Sequence, residues 1–177
     1  MWLGARAHAQ EVSTRDFVML KTIEVRALSE EETLELGRRI GKILRPEDVV
    51  LLLGDLGAGK TRLAKGIVSA ATGVCPEEVV SPSFTLINRF EGRFPVHHAD
   101  LYRIDADQIE GIGLEEALVE EGALIVEWAE KAPVLDPDAL RVVIAYGPEE
   151  QTRRILIQWT EEGTWNERIK DVVISGS

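Results

Sequence analysis

The sequence predicts an α/β protein in which a mixed, mainly parallel sheet is flanked by helices in three layers. Three observations predict it. Strand-like and helix-like patterns alternate through the first two thirds of the chain, the order that builds a parallel sheet with helical crossovers. Val49-Val50-Leu51-Leu52-Leu53 is an uninterrupted apolar run, as in a parallel strand buried on both faces. Glu91-Gly92 reads as a hairpin turn, so at least one pair of strands runs antiparallel.

In chain order, residues 1–18 carry neither sustained periodicity nor a cleavable signal, because Arg6, Arg15 and Asp16 interrupt their scattered apolar positions. They are expected to be a disordered N-terminal extension. Residues 22–26 alternate as a short strand, and Ser29 with Glu32 has capping-box spacing for a helix running to about Leu44. Leu36, Ile40, Ile43 and Leu44 share one face of that helix, and Pro46 closes it. The apolar strand 49–53 follows, then a glycine-rich loop and a helix over 60–71 that stops near Gly73. Further strands are expected over 85–90, 93–98, 124–127, 140–146 and 154–159, and further helices over 107–121 and 165–172. No internal repeat or low-complexity linker divides residues 19–177, which are expected to form one domain.

Composition bounds the function. A chain of 177 residues suits one domain, which at this size buries roughly 70% of its unfolded surface. No apolar run approaches the ~20 residues needed to span a bilayer as a helix. Cys75 is the only cysteine, which excludes an internal disulfide and a cysteine-based zinc site and fits a reducing cytoplasm. Asp and Glu outnumber Lys and Arg by 31 to 20, a formal charge of −11, with no basic run longer than two residues. That balance opposes tight contact with a nucleic-acid backbone.

Gly54-Asp55-Leu56-Gly57-Ala58-Gly59-Lys60-Thr61 fits G-x-x-x-x-G-K-[ST], and each residue type has a task in gripping phosphates. The glycines allow a tight wrap that turns the backbone N–H groups of residues 55–61 inward, and the following helix N-terminus adds partial positive charge. Lys60, expected as an exposed loop lysine, would reach the β and γ phosphates, while the Thr61 hydroxyl would ligate Mg²⁺. Between an apolar strand and a helix, this loop implies a P-loop NTPase fold that binds a nucleoside triphosphate. Guanine specificity would call for an Asn-Lys-x-Asp element, and none exists, so ATP with Mg²⁺ is the expected ligand. The adenine pocket is not legible in the sequence; residues 30–33 or Arg153-Arg154 could contribute to it, and Arg154 is expected as a nucleotide contact.

A phosphate loop also needs a carboxylate at the end of a neighbouring strand to orient magnesium or its water. Two positions compete: Glu127, ending the apolar run Ala123-Leu124-Ile125-Val126, and Asp100, ending Val96-His97-His98-Ala99. Adjacent strand residues point to opposite faces, so His97 and His98 cannot readily share a metal and are expected in packing or hydrogen bonding. Trp128 is either a core or cleft-wall aromatic or a shaper of the nucleotide pocket. Ser81-Pro82-Ser83-Phe84-Thr85 is a hydroxyl-rich loop where a γ-phosphate-sensing switch lies in such folds, although Pro82 alone would explain a plain turn.

Taken together, the phosphate loop, Ser81-Pro82-Ser83-Phe84-Thr85-Leu86, Asp100-Leu101-Tyr102-Arg103 and Val126-Glu127-Trp128 resemble the TsaE (YjeE) family in order and spacing over residues 23–157. The resemblance implies a bacterial cytoplasmic ATPase that works with the TsaB and TsaD proteins to place threonylcarbamoyladenosine in tRNA. It further implies that Lys60 and Thr61 hold phosphates and magnesium, that Glu127 is the magnesium carboxylate, and that Asp100 belongs to a switch supporting hydrolysis. Ser81, Ser83 and Thr85 would form the other switch. The family more often has threonine at the position of Ser83 and an aromatic at that of Ala99. Two other functions use the same loop. A small-molecule kinase would bring an arginine-bearing lid, but Arg62, Arg89, Arg93 and Arg103 are dispersed here. A nucleotide-dependent binding module would hydrolyse negligibly.

Overall fold

A computed structural model describes residues 19–82, 85–105, 108–109, 113–119, 121–132, 136 and 138–174. The expected N-terminal extension, Ser83 and residues 107, 110–112 and 120 of the stretch 107–121 fall outside the described residues. The elements are β1 (Leu20–Ala27), α1 (Glu30–Ile43), β2 (Val49–Leu53), α2 (Lys60–Thr72), β3 (Ile87–Phe90), β4 (Val96–Asp100), α3 (Leu114–Val119), β5 (Ala123–Glu127), a 3₁₀ turn (Ala129–Lys131), β6 (Leu140–Tyr146), β7 (Arg153–Thr160), α4 (Trp165–Arg168) and α5 (Lys170–Ile174).

Seven strands form one sheet in the order β1-β7-β6-β2-β5-β4-β3. β6, β2, β5 and β4 run parallel in its centre, while β3, β7 and β1 pair antiparallel toward its edges. This is the mixed α/β sheet the sequence predicts. β2 lies between β6 and β5, which is why Val49–Leu52 are buried on both faces. Its C-terminal end therefore delivers the phosphate loop to the middle of the sheet, beside the ends of β5 and β4.

Two apolar clusters make the layers. On one face Leu36, Ile40, Leu63 and Ile67 of α1 and α2 pack on Val50, Leu52, Ile125 and Ile144. On the other, Leu114 and Ala117 of α3 pack with Leu51, Leu124 and Val126. The Ser29 side chain accepts from Glu32 N at 3.2 Å, and Glu32 Oε2 accepts from Leu28 N at 2.7 Å, so the predicted cap closes the start of α1. A cap of this kind is worth about 1 kcal/mol. α1 and α2 touch backbone to backbone: a Cβ on Gly37 would lie 2.3 Å from Leu63 O, and one on Gly66 would lie 2.2 Å from Leu34 O.

Local chemistry moves some boundaries from their expected places. β3 begins at Ile87 because Leu86 sits at φ 63, outside the extended region. β4 begins at Val96, after Pro95, and runs on to Asp100 in parallel register with Ala123–Glu127. Within 107–121 only Leu114–Val119 is α-helical among the described residues. The expected helix over 165–172 is two short helices meeting at Ile169. The first is anchored by Arg168, whose guanidinium forks onto Asp48 Oδ2 and Oδ1 at 2.7 and 2.8 Å just before β2.

Candidate functional site

The phosphate loop closes the C-terminal end of β2. Gly54, Gly57 and Gly59 have φ of 139°, 76° and 109°, a region where a Cβ would be strained, so the wrap depends on glycine. Gly59 caps α2 without a side-chain bond, leaving the helix N-terminus facing the loop. The loop is tied to the β6–β7 pair by two side chains. Tyr146 donates its hydroxyl to Leu56 O at 2.7 Å, and Arg153 donates Nε to Ala58 O at 2.8 Å with its guanidinium 4.7 Å over the Tyr146 ring. With these carbonyls held from outside, the opposite edge of the peptides is left to the ligand.

Lys60 differs from the exposed lysine expected, being only 4% exposed. Its ammonium donates to Gly54 O and Asp55 O at 2.5 and 2.8 Å and lies 3.7 Å from the centre of the Trp128 ring. Burial pulls its pKa below the usual lysine range, opposed by the charges of Glu127, Glu130, Asp100 and Asp55. Trp128 itself stands at φ 58, an uncommon conformation for a bulky residue, and stacks against Tyr102 with ring centroids 4.9 Å apart. It is thus a wall of the cleft that holds Lys60.

The competing acids are neighbours. Asp100 and Glu127 are register partners at the ends of β4 and β5. Glu127 is 1% exposed, and its Oε2 accepts from Thr61 Oγ1 at 2.8 Å while its Oε1 lies 2.8 Å from His98 Nε2. Asp100 accepts from Tyr102 N at 2.9 Å. Burial raises its pKa above the usual carboxylate range; the Tyr102 N–H lowers it and the Glu127 charge raises it further. Leu56, Gly57, Lys60, Thr61, Asp100, Tyr102, Glu127 and Trp128 line a shared cavity of about 120 Å³.

No group of three or more His, Cys, Asp or Glu is gathered as a metal cage among the described residues. The oxygens of Thr61 and Glu127, 2.8 Å apart, instead fit a Mg²⁺ that takes one or two protein ligands and completes its shell with phosphate and water.

The switch candidates divide. Ser81 Oγ lies 3.5 Å from Thr61 Oγ1, at the edge of the site. Thr85 turns its hydroxyl to Asn88 Oδ1 at 2.9 Å, and Ser83 is outside the described residues. Ser81 and Asp100 share a second cavity with Pro82, Leu86, Tyr102 and Arg103. Arg154 bonds Glu24 Oε2 at 2.8 Å and lines a larger cavity of about 660 Å³ beside the loop, with Leu28, Tyr146, Thr152 and Arg153 among its walls.

A family model, threonylcarbamoyl adenosine biosynthesis protein TsaE, matches residues 27–156. The chain belongs to the TsaE family. It is 40% identical to the tRNA threonylcarbamoyladenosine biosynthesis protein TsaE of Nostoc sp. over 67% of this chain and 75% of that one. To the proteins of the same name from Aquifex aeolicus and Bacillus subtilis it is 42% and 38% identical, over 61% and 62% of this chain and 77% and 68% of theirs. In fold it matches the crystal structure of Bacillus subtilis YdiB with a TM-score of 0.71 and 28% identity, covering 90% of this chain and 99% of that one. Family membership ties the chain to threonylcarbamoyladenosine biosynthesis.

Sequence reasoning missed Tyr146, and it missed the partners of Arg153 and His98. Tyr146 and Arg153 have no motif of their own and meet the phosphate loop only because β6 and β7 pair them side by side. His98 was expected in packing or hydrogen bonding; its partner, Glu127, is 29 residues away on another strand.

Proposed function

We propose that this protein binds ATP with Mg²⁺ and hydrolyses it slowly or on contact with partners, in the service of tRNA threonylcarbamoylation. The observation that carries this reading is the convergence of Lys60 and Thr61, Asp100, and Glu127, from three places in the sequence, on one end of β2. Backbone N–H groups of residues 55–61 and the start of α2 receive the phosphates. Lys60 exchanges its carbonyl partners Gly54 and Asp55 for phosphate oxygens. Thr61 and Glu127 would hold Mg²⁺, which when bound neutralises charge on the β and γ phosphates. Asp100 accepts a hydrogen bond from the attacking water and orients it, and burial makes it more basic than an ordinary aspartate. The cavity beside the loop, with Leu28, Tyr146, Thr152 and Arg153 among its walls, offers the space for ribose and adenine.

Partners enter through the switch stretches 81–86 and 100–103, of which Ser81, Pro82, Leu86, Asp100, Tyr102 and Arg103 line one cavity beside the phosphate loop. A loop ordered by the γ phosphate presents one surface before hydrolysis and another after it. By family resemblance the receiving surface is the TsaB–TsaD complex in the cytoplasm. A net charge of −11 leaves little counterion release to be gained on tRNA, so tight direct binding to free tRNA is not expected. A small-molecule kinase is disfavoured by the engagement of its would-be lid: Arg62 pairs with Glu31, Arg89 with Glu91, and Arg93 donates to Gly41 O.

Calorimetry of Lys60→Ala tests the core of the reading. Its ATP affinity should fall by ~2–5 kcal/mol, as for a buried charge pair that loses one member. Unchanged affinity would remove the phosphate-loop assignment. Phosphate release measured with and without TsaB–TsaD separates an ATPase from a non-hydrolysing binding module.

A further inference from the structure

We propose that His98 is a positioning residue for the Glu127 carboxylate, fixing which of its oxygens faces Thr61. This rests on the reading of Thr61 and Glu127 as the magnesium pair. His98 is wholly buried in the middle of β4, and Nε2 lies 2.8 Å from Glu127 Oε1. The other ring nitrogen, Nδ1, is buried with no hydrogen-bond partner. An ionised carboxylate only accepts, so the contact requires a proton on Nε2. Among the described residues, Glu127 is the ring's hydrogen-bond partner. A residue serving only the packing of β4 would be apolar and would leave no orphaned nitrogen in the core.

The geometry gives this bond a purpose. A carboxylate with one free oxygen can pivot, whereas Glu127 is pinned at Oε1 from behind and touches Thr61 Oγ1 at 2.8 Å through Oε2. His98 and Asp100 are two apart on β4 and so share a face, and Asp100 is the register partner of Glu127. One strand thus supplies the water-orienting acid and the donor that aims the metal-facing acid.

Two substitutions separate this role from packing. His98→Gln keeps an amide donor near the Nε2 position, while His98→Leu keeps bulk without a donor. ATP affinity is measured by calorimetry in EDTA and across a Mg²⁺ series, with melting curves to check folding. His98→Leu should bind ATP like wild type in EDTA but need ~10–100-fold more Mg²⁺ for half-maximal enhancement, the usual effect of losing a hydrogen bond to a ligating group. His98→Gln should restore most of that dependence. If the leucine variant does not fold, His98→Asn, whose amide reaches only the Nδ1 position, replaces it. ¹⁵N NMR of the nucleotide-free protein should show the Nε2–H tautomer for His98. The Nδ1–H tautomer, or a Mg²⁺ dependence identical in all variants and wild type, overturns the role of His98 alone. Wild-type ATP binding that ignores Mg²⁺ overturns the magnesium pair and this role together.

Discussion

Thr61 Oγ1 and Glu127 Oε2 lie 2.8 Å apart, joining the first turn of α2 to the last residue of β5. This bond links two residues 66 positions apart in sequence. Glu127→Gln preserves the shape but removes the charge. Hydrolysis should fall ~10²-fold or more, as when one electrostatic contributor is lost at a reacting phosphate. The effects of Thr61→Ala and Glu127→Gln on Mg²⁺-dependent ATP binding should also be less than additive, because the two share one interaction. Additive losses in that double-mutant cycle would mean that the residues act separately.

Asp100→Asn is expected to stabilise the fold while lowering turnover. Burial, more than any neighbour, raises the Asp100 pKa, so the folded state takes up this proton more readily than the unfolded chain. The cost of the buried charge is absent below the ordinary aspartate range and is felt in full once the pH has risen through the folded-state pKa. Melting temperatures should therefore favour Asp100→Asn at neutral pH and converge with wild type in acid. A variant less stable than wild type at neutral pH would show that the Tyr102 N–H bond outweighs the burial.

Much of this architecture is legible because local chemistry carries it. The phosphate loop declares itself through residues that are adjacent in the chain, and β2 through a run with no polar interruption. What stays hidden depends on register. Asp100 and Glu127 look like rivals in the sequence because nothing local says that β4 and β5 are neighbours; pairing them puts both acids in one cleft. The helix contact at Gly37 and Gly66 is hidden too, since a glycine inside a helix reads as a weakness until its partner is seen.

That contact is itself open to test. Replacing glycine by alanine within an exposed helix gains about 1 kcal/mol. At Gly66 the new Cβ would lie 2.2 Å from the Leu34 carbonyl, a backbone atom that cannot swing aside. Overpacking of this kind costs ~1–3 kcal/mol or more, so the clash should exceed the propensity gain. Gly66→Ala should unfold at lower urea with an unchanged m-value. A higher midpoint would mean that α1 and α2 are not in backbone contact.

Arg153 and Arg154 are adjacent, and the sequence assigns the nucleotide contact to Arg154, yet strand alternation sends the two in different directions. Arg154 pairs with Glu24 at 2.8 Å on the exposed face, an arrangement worth little to stability in water. Arg153 donates to Ala58 O at 2.8 Å and covers the ring of Tyr146, which in turn bonds Leu56 O. Without Arg153 the loop keeps its glycines but loses the outer support that orients its peptides. A hydrogen bond from a charged group is worth ~1.5–3 kcal/mol, and part of that should appear as weaker ATP binding in Arg153→Ala. Arg154→Ala should stay close to wild type, and Tyr146→Phe, which loses only the bond to Leu56, should fall between them. Titration of all three with ATP at fixed Mg²⁺ checks the order. A larger loss in Arg154→Ala than in Arg153→Ala would return the nucleotide contact to Arg154 and reduce the Arg153–Tyr146 pair to a surface brace.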